Sequence, residues 1–85
     1  MAAATIASTS RPHVLGDFKA LIRSYTSLAN TNTDTLDAGT NVIGVIPLSV
    51  VGSPAVQATF AANVITYGVS AGTPNTTVMI LIGPS

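Results

Sequence analysis

Short apolar segments, some alternating with polar residues and some continuous, run along most of the chain and predict β-strands. Val, Ile and Thr, which suit pleated surfaces, number nine, seven and twelve among the 85 residues. Four segments fit a strand, and they are Asp17 to Leu28, Val42 to Val51, Val56 to Val69 and Thr76 to Ile82. The pattern predicts an all-β fold, a small antiparallel β-sandwich or open β-barrel.

The first of these segments alternates clearly. One face would carry Phe18, Ala20, Ile22 and Ser24, and the other Lys19, Leu21, Arg23 and Tyr25. We expect Lys19 and Arg23 to face water, where they would also discourage random edge pairing. A helix is the alternative, because Leu21 and Tyr25 lie four residues apart, but the Ser and Thr content disfavours it.

The segment from Val42 to Val51 is apolar on both faces, so both faces need cover from a second sheet or from a partner chain. We therefore expect an oligomer interface here, formed by Ile43, Val45, Ile46, Leu48 and Val50. Pro47 cannot donate a backbone hydrogen bond, so it predicts an edge position or a bulge. Farther along, the Gly- and Pro-containing run from Ser70 to Asn75 predicts a hairpin between the last two strands.

Residues 1–12 differ from the rest of the chain, because they are mostly Ala, Ser and Thr. One interpretation is a frayed terminus. The other is an extended N-terminal arm, preceding a single β domain at residues 13–85, that becomes ordered on a neighbouring subunit. On the second interpretation Ile6 enters a pocket of the neighbour, and Arg11 meets a carboxylate on a capsid or neighbour surface.

Charge is sparse, since charged residues make up 7% of the chain and sum to zero. So few charges favour association, and the lack of a basic cluster argues against a nucleic-acid partner. Cysteine is absent, which excludes disulfides and leaves self-association as the support for so small a fold. The longest unbroken apolar run, Val78 to Ile82, is too short to span a membrane, and the N-terminus is a poor signal peptide. We therefore expect a soluble protein made in the cytoplasm.

Candidate chemistry is limited to two places. His13 and Asp17 could pair, but one His without Cys does not make a catalytic triad or a zinc site, so we expect no enzyme. In the polar run Asn30 to Thr40, three side chains match the first ligands of a calcium loop, Asn30, Asn32 and Asp34. Thr35 stands where that loop needs Gly, and Asn41 where it needs Glu, so we predict a polar connection that binds no metal or cofactor.

The order of several short motifs resembles a family. Gly16-Asp17-Phe18-Lys19 is followed by Ser24-Tyr25-Thr26 and by Leu36 to Thr40, just before the apolar run Val42 to Val50. This order resembles that of small β-rich virion proteins of tailed bacteriophages, with Ala38-Gly39-Thr40 in place of their usual Thr-Gly-Leu. The resemblance implies a capsid decoration or cement protein that binds the outside of the head as a symmetric oligomer.

The expected function is therefore a non-enzymatic virion protein, made in the host cytoplasm. Its expected partners are itself, as a trimer, and the major capsid protein. Two alternatives stay open, namely a tail, fibre or pilus-like subunit that polymerises through strand edges, and a small ligand-binding β module.

Overall fold

The structure, a computed structural model, describes residues 3–52 and 54–83 and is all-β, as predicted. Its strands are β1 (Thr5–Thr9), β2 (His13–Leu15), β3 (Phe18–Thr26), β4 (Thr33–Thr35), β5 (Val42–Val50), β6 (Val56–Ala61), β7 (Val64–Val69) and β8 (Thr76–Ile82). The described residues include no helix that could cross a membrane.

The strands form two antiparallel sheets. The larger has five strands in the order β1-β3-β8-β5, and β2 lies beyond β1 on the same edge of β3. The smaller has three strands in the order β4-β7-β6. Strand β8 is central because it is apolar on both faces, with Val78 and Ile80 inside and Met79 and Leu81 outside.

The core lies between the two sheets. Its fully buried side chains are Tyr25, Thr76, Val78 and Ile80 from the larger sheet, Ile65 and Tyr67 from the smaller, and Leu28 from a connection. Backbone hydrogen bonds join the sheets on two sides, from Ala4 N to Thr33 O at 2.7 Å and from Val42 N to Ala62 O at 2.9 Å. The result is a small sandwich that is partly closed into a barrel.

Strand β5 confirms the prediction made from its proline. It lies at an edge of the larger sheet, and its pairing with β8 is irregular between Pro47 and Ser49 and between Val42 and Gly44. Both devices weaken an edge as a template for further strands, because a bulge twists the edge and proline removes a donor.

The prediction of a hairpin between the last two strands is wrong. Residues 70–75 instead carry the chain from β7 in the smaller sheet to β8 in the larger one. The hairpin falls earlier, because the segment from Val56 to Val69 divides into β6 and β7 at a tight turn. Ala62 adopts a positive φ of 51° there, which a side chain rarely favours and which gave no Gly or Pro signal in the sequence.

The N-terminal residues pair with β3 of their own chain. Residues 5–9 of the expected arm form β1 on the edge of β3 of the same chain, while Met1 and Ala2 lie outside the described residues.

The alternation of β3 is confirmed, but the expectation that Arg23 faces water is wrong. Arg23 lies on the inner face between Leu21 and Tyr25, because Asp34 of the smaller sheet is there to pair with it.

Candidate functional site

A buried polar cluster joins the two sheets. Arg23 of β3 donates from Nη1 to Asp34 Oδ2 of β4 at 2.7 Å, and the two side chains are only 14% and 5% exposed. The Tyr25 hydroxyl donates to the same carboxylate oxygen at 2.5 Å and lies 2.8 Å from the Tyr67 hydroxyl. Arg23 Nε also donates to Thr9 Oγ1 of β1 at 3.0 Å, so the cluster links four strands, β1, β3, β4 and β7.

The environment keeps Arg23 and the two tyrosines in their ordinary protonation states. Burial raises the pKa of Tyr67 to about 12. Burial, together with the hydrogen bonds to Asp34 and Tyr67, also raises the pKa of Tyr25. For Arg23, burial disfavours the charge, but the hydrogen bond and the charge of Asp34 outweigh burial and raise the pKa. The tyrosines therefore stay neutral and the guanidinium stays charged at neutral pH, as a stabilising link requires.

A cleft of about 420 Å³ opens beside this cluster. Four of the chain's six charged residues line it, namely Lys19, Arg23, Asp34 and Asp37, together with the apolar side chains of Ile6 and Leu36. Its volume suits a small ligand, but Arg23 and Asp34 are already engaged with each other. No buried side-chain N or O atom lacks a hydrogen-bond partner anywhere in the described ranges, so none of these buried polar groups needs a ligand to satisfy it.

The polar run from Asn30 to Thr40 does not converge on one point. Asn30 Oδ1 accepts from Val69 N at 3.0 Å, whereas Asn32 Oδ1 accepts from Ala29 N at 2.8 Å. Asp34 accepts from Arg23 and Tyr25 instead. Asn32 thus caps a backbone group of its own connection, as Asn side chains commonly do in turns. The prediction of a polar connection missed that residues 33–35 form β4 and that Asp34 is buried in the core.

The possible His13–Asp17 pair is not formed. His13 lies in β2 and Asp17 in the turn that follows it; both are exposed, and no hydrogen bond or ion pair joins them in the structure as described. The described residues also include no group of three His, Cys, Asp or Glu side chains that could hold a metal ion.

The outer face of the larger sheet is a second candidate site, because large apolar side chains on it are exposed, although Ala20 at one end is buried. We define this apolar outer face by the register of β3, β8 and β5 as Ala20, Ile22, Gly44, Ile46, Met79 and Leu81. Ile22 and Ile46 are 38% and 43% exposed, on either side of Met79. At one end of the face, Ser24 and Thr77 satisfy each other through a 3.0 Å hydrogen bond.

Charge is missing from this face. Lys19 and Arg23 lie on the inner face of β3, and Asp34 lies inside the smaller sheet. The other three charged residues, Arg11, Asp17 and Asp37, lie in connections. Fully buried centres of protein interfaces show the same depletion of charged residues.

Strand β5 carries the residues that the sequence assigned to an oligomer interface. Ile43, Ile46 and Leu48 are exposed, with Ile43 and Leu48 at the two irregular positions of the strand. Val45 and Val50 instead face inward and are half-buried by the smaller sheet. The structure thus brings three of the five residues to the surface of one edge strand.

The two residues assigned to contacts made by the arm lie apart. Ile6 is 45% exposed in β1, on the side of the strand that borders the cleft. Arg11 is exposed in the connection between β1 and β2, and its side chain makes no hydrogen bond or ion pair with any described residue.

Comparison with known proteins adds no relative. The chain matches no protein-family model, no curated protein and no solved structure at a significant level.

Proposed function

We propose that the protein is a non-enzymatic structural subunit that assembles with copies of itself through the apolar outer face and the exposed side chains of β5. The observation that carries this proposal is an uncovered sheet face with large apolar residues and no charge. Exposed apolar patches of this kind mark interaction sites in soluble proteins. Another copy of the chain is the occupant that fits best, because in a closed trimer the outer face of one copy would meet the exposed β5 side chains of the next, and neither surface carries charge that would repel the other.

The resemblance to small virion proteins of tailed bacteriophages gives the proposal its setting. We propose a capsid decoration protein, present as a trimer on the outside of the head and bound to the major capsid protein. Three features support that role, namely a small module whose strands β1 to β8 are joined by connections of six residues or fewer, sparse charge, and an exposed Arg11 that is available to a carboxylate on the shell.

Polymerisation through strand edges, as in a fibre or pilus, is supported less well. The free edge of β5 contains Pro47 and two irregularities of pairing, which oppose the addition of a strand. The opposite edge of the same sheet is formed by β1 and β2, which are only five and three residues long, and short edge strands are poor templates for a further strand. Assembly through a face therefore fits this sandwich better than assembly through an edge.

Sedimentation of the purified protein tests self-assembly. We expect the wild type to sediment as a trimer at micromolar concentration and Ile46→Asp to sediment as a folded monomer, because an unpaired carboxylate on the interface opposes burial. Thr59→Asp is the matched control, since Thr59 occupies the outer face of the smaller sheet, and we expect it to remain assembled. A monomeric wild type would refute the proposal. The capsid role is tested separately by mass spectrometry of purified virions of the encoding phage, where the chain should be present.

A further inference from the structure

Strand β1 is held on the molecule almost entirely by its backbone. All five of its residues are exposed, and Thr5 to Thr9 pair with residues Arg23 to Thr26 of β3. Of the two described residues that lead into the strand, Ala3 is exposed, and Ala4 packs against the core but is only partly buried. A strand that buries so few apolar atoms gains little from side-chain packing.

The edge of β3, in contrast, needs a strand at this position. Without β1, main-chain donors and acceptors of β3 would be unpaired beside the core. The hydrogen bond from Arg23 Nε to Thr9 Oγ1 would be lost, and so would that from Ala4 N to Thr33 O, which closes the side of the sandwich over the Arg23–Asp34 pair. The edge of β3 therefore requires a strand with a hydroxyl at the position of Thr9, but this strand need not come from the same chain.

The joint between β1 and β2, residues 10–12, allows β1 to leave the edge of β3. Both strands run in the same direction along β3, so no turn returns the chain between them. Ser10 is the last residue fixed to β3, through bonds with Ile22, and Arg11 and Pro12 are exposed. Because a residue before proline favours an extended backbone and proline fixes its own φ, this joint is stiff and extended.

We propose that β1 is exchanged between copies in the assembled protein, so that the arm of one chain occupies the edge of β3 in its neighbour. The hydrogen bonds that β1 makes with β3 within one chain are then made between two chains. Exchange of an identical element in this way is a low-cost route to oligomers. In the proposed trimer, each chain would pass its arm to the next copy in the same direction around the ring, so that all three arms are placed. The inference rests on the proposed function, because it needs an assembly, but it uses a different surface from the apolar outer face.

Disulfide trapping distinguishes the two arrangements, because the chain has no cysteine of its own. Thr5 and Thr26 are exposed Cα partners across β1 and β3, and paired residues of antiparallel strands lie within disulfide reach. We would refold Thr5→Cys and Thr26→Cys variants together and oxidise the mixture. Only an exchanged arm places the two thiols of different chains side by side, so we expect a heterodimer that disappears on reduction.

The matched control is a mixture of Thr59→Cys and Thr66→Cys. These residues are Cα partners in the β6–β7 hairpin, whose two-residue turn prevents exchange, so we expect no heterodimer. If the wild type assembles but the Thr5 and Thr26 mixture also gives none, while the double variant closes a disulfide within one chain, the arm is not exchanged and the proposed function stands. A monomeric wild type would overturn both proposals.

Discussion

The middle row of the larger sheet's outer face is Ile22, Met79 and Ile46, whereas the matching row of the smaller sheet is Thr33, Thr66 and Thr59. Both rows cross three paired strands, and both sheets turn apolar residues inward. The smaller sheet therefore shows the apolar-in, polar-out alternation of a sheet with one face in water. The larger sheet is apolar on both faces, like a sheet with cover on each side.

This difference distinguishes the inner faces, which pack the core, from the apolar outer face, which we propose contacts another copy. The two sheets pack through their inner faces, so the apolar outer face stabilises a single chain only through contacts between neighbouring side chains of the same sheet. Exposed apolar area is unfavourable by roughly 25 cal/mol per Å², and covering it on a second copy recovers that free energy. The threonine row has hydroxyl groups that bind water, and it gains little from such cover.

The two sheets also differ in charge on their inner faces, and that difference links them. Arg23 comes from the larger sheet and Asp34 from the smaller, and this is the one ion pair within the described part of the chain. The largest effect we expect is from breaking it. Arg23→Met leaves the carboxylate buried without its charge partner, and the expected loss in the free energy of unfolding is about 3 kcal/mol. Chemical denaturation of the monomeric Ile46→Asp background would measure it.

Two controls make this measurement specific. Asp37→Ala removes an exposed acid from the same cleft, and we expect a change within about 0.5 kcal/mol. Arg23→Met combined with Asp34→Leu removes both charges, and we expect it to recover most of the loss. If Arg23→Met alone is as stable as its background, the pair does not link the sheets.

The sequence predicts the strands better than their partners. The predicted bounds of β8 and β5 agree closely with the structure, because their runs of Val, Ile and Leu are typical of strands and lack the spacing of an amphipathic helix. Pro47 correctly predicted that β5 lies at an edge of its sheet. The pairing of β1 with β3 of the same chain was missed because the Ala, Ser and Thr side chains of β1 carry no apolar pattern, and its stability comes from backbone bonds to a distant segment. The turn at Ala62 was missed for a similar reason, since its positive φ is imposed by the pairing of β6 with β7.

The buried cluster was missed because alternation along β3 does not say which face is the inner one. Arg23 shares its face with Leu21 and Tyr25, and a charge between two large apolar residues of a strand is a signal of a buried partner. Asp34 gave no such signal, because it lies in the polar run from Asn30 to Thr40. The exposure of Ile46 and Leu48, in contrast, could be anticipated from a strand that is apolar on both faces.

Alkaline pH tests whether the space between the sheets is dry, with one tyrosine from each sheet as the reporter. Below pH 10 both tyrosines are neutral in the folded and unfolded chain, so stability does not depend on them. Above pH 10 the unfolded chain releases its protons first, because burial raises the folded pKa of Tyr67 to about 12 and also raises that of Tyr25. The free energy of unfolding should therefore fall as pH rises from 10, by an amount on the order of 1 kcal/mol per pH unit for each tyrosine.

The measurement is direct because the chain has two tyrosines and no tryptophan. Tyrosinate absorbance in the native protein should appear only near the pH at which circular dichroism reports unfolding. Tyr67→Phe should keep the fold and reduce the pH dependence of stability. Absorbance that rises around pH 10 while the protein stays folded would mean that water reaches the hydroxyl pair.

The smallest effect on stability is expected from moving the apolar row to the other sheet. Thr59 and Thr66 are Cα partners on the outer face of β6 and β7, and the hydrogen bond from Thr59 Oγ1 to Thr66 O is long, at 3.5 Å. Replacing both with Ile keeps the β-branched shape, so we expect the free energy of unfolding to change by no more than about 0.5 kcal/mol per site. The new row would nevertheless resemble the row of Ile22, Met79 and Ile46.

If an uncharged apolar row is sufficient for association, Thr59→Ile with Thr66→Ile should restore self-association to the monomeric Ile46→Asp background. Sedimentation over a range of concentrations would measure it. Thr59→Ser with Thr66→Ser is the control, because it leaves the row polar and should leave the background monomeric. If the isoleucine variant also stays monomeric, then apolar character alone does not specify the contact. The assembly would then depend on features that the larger sheet alone has, namely the irregular edge of β5 and the strand β1 laid along β3.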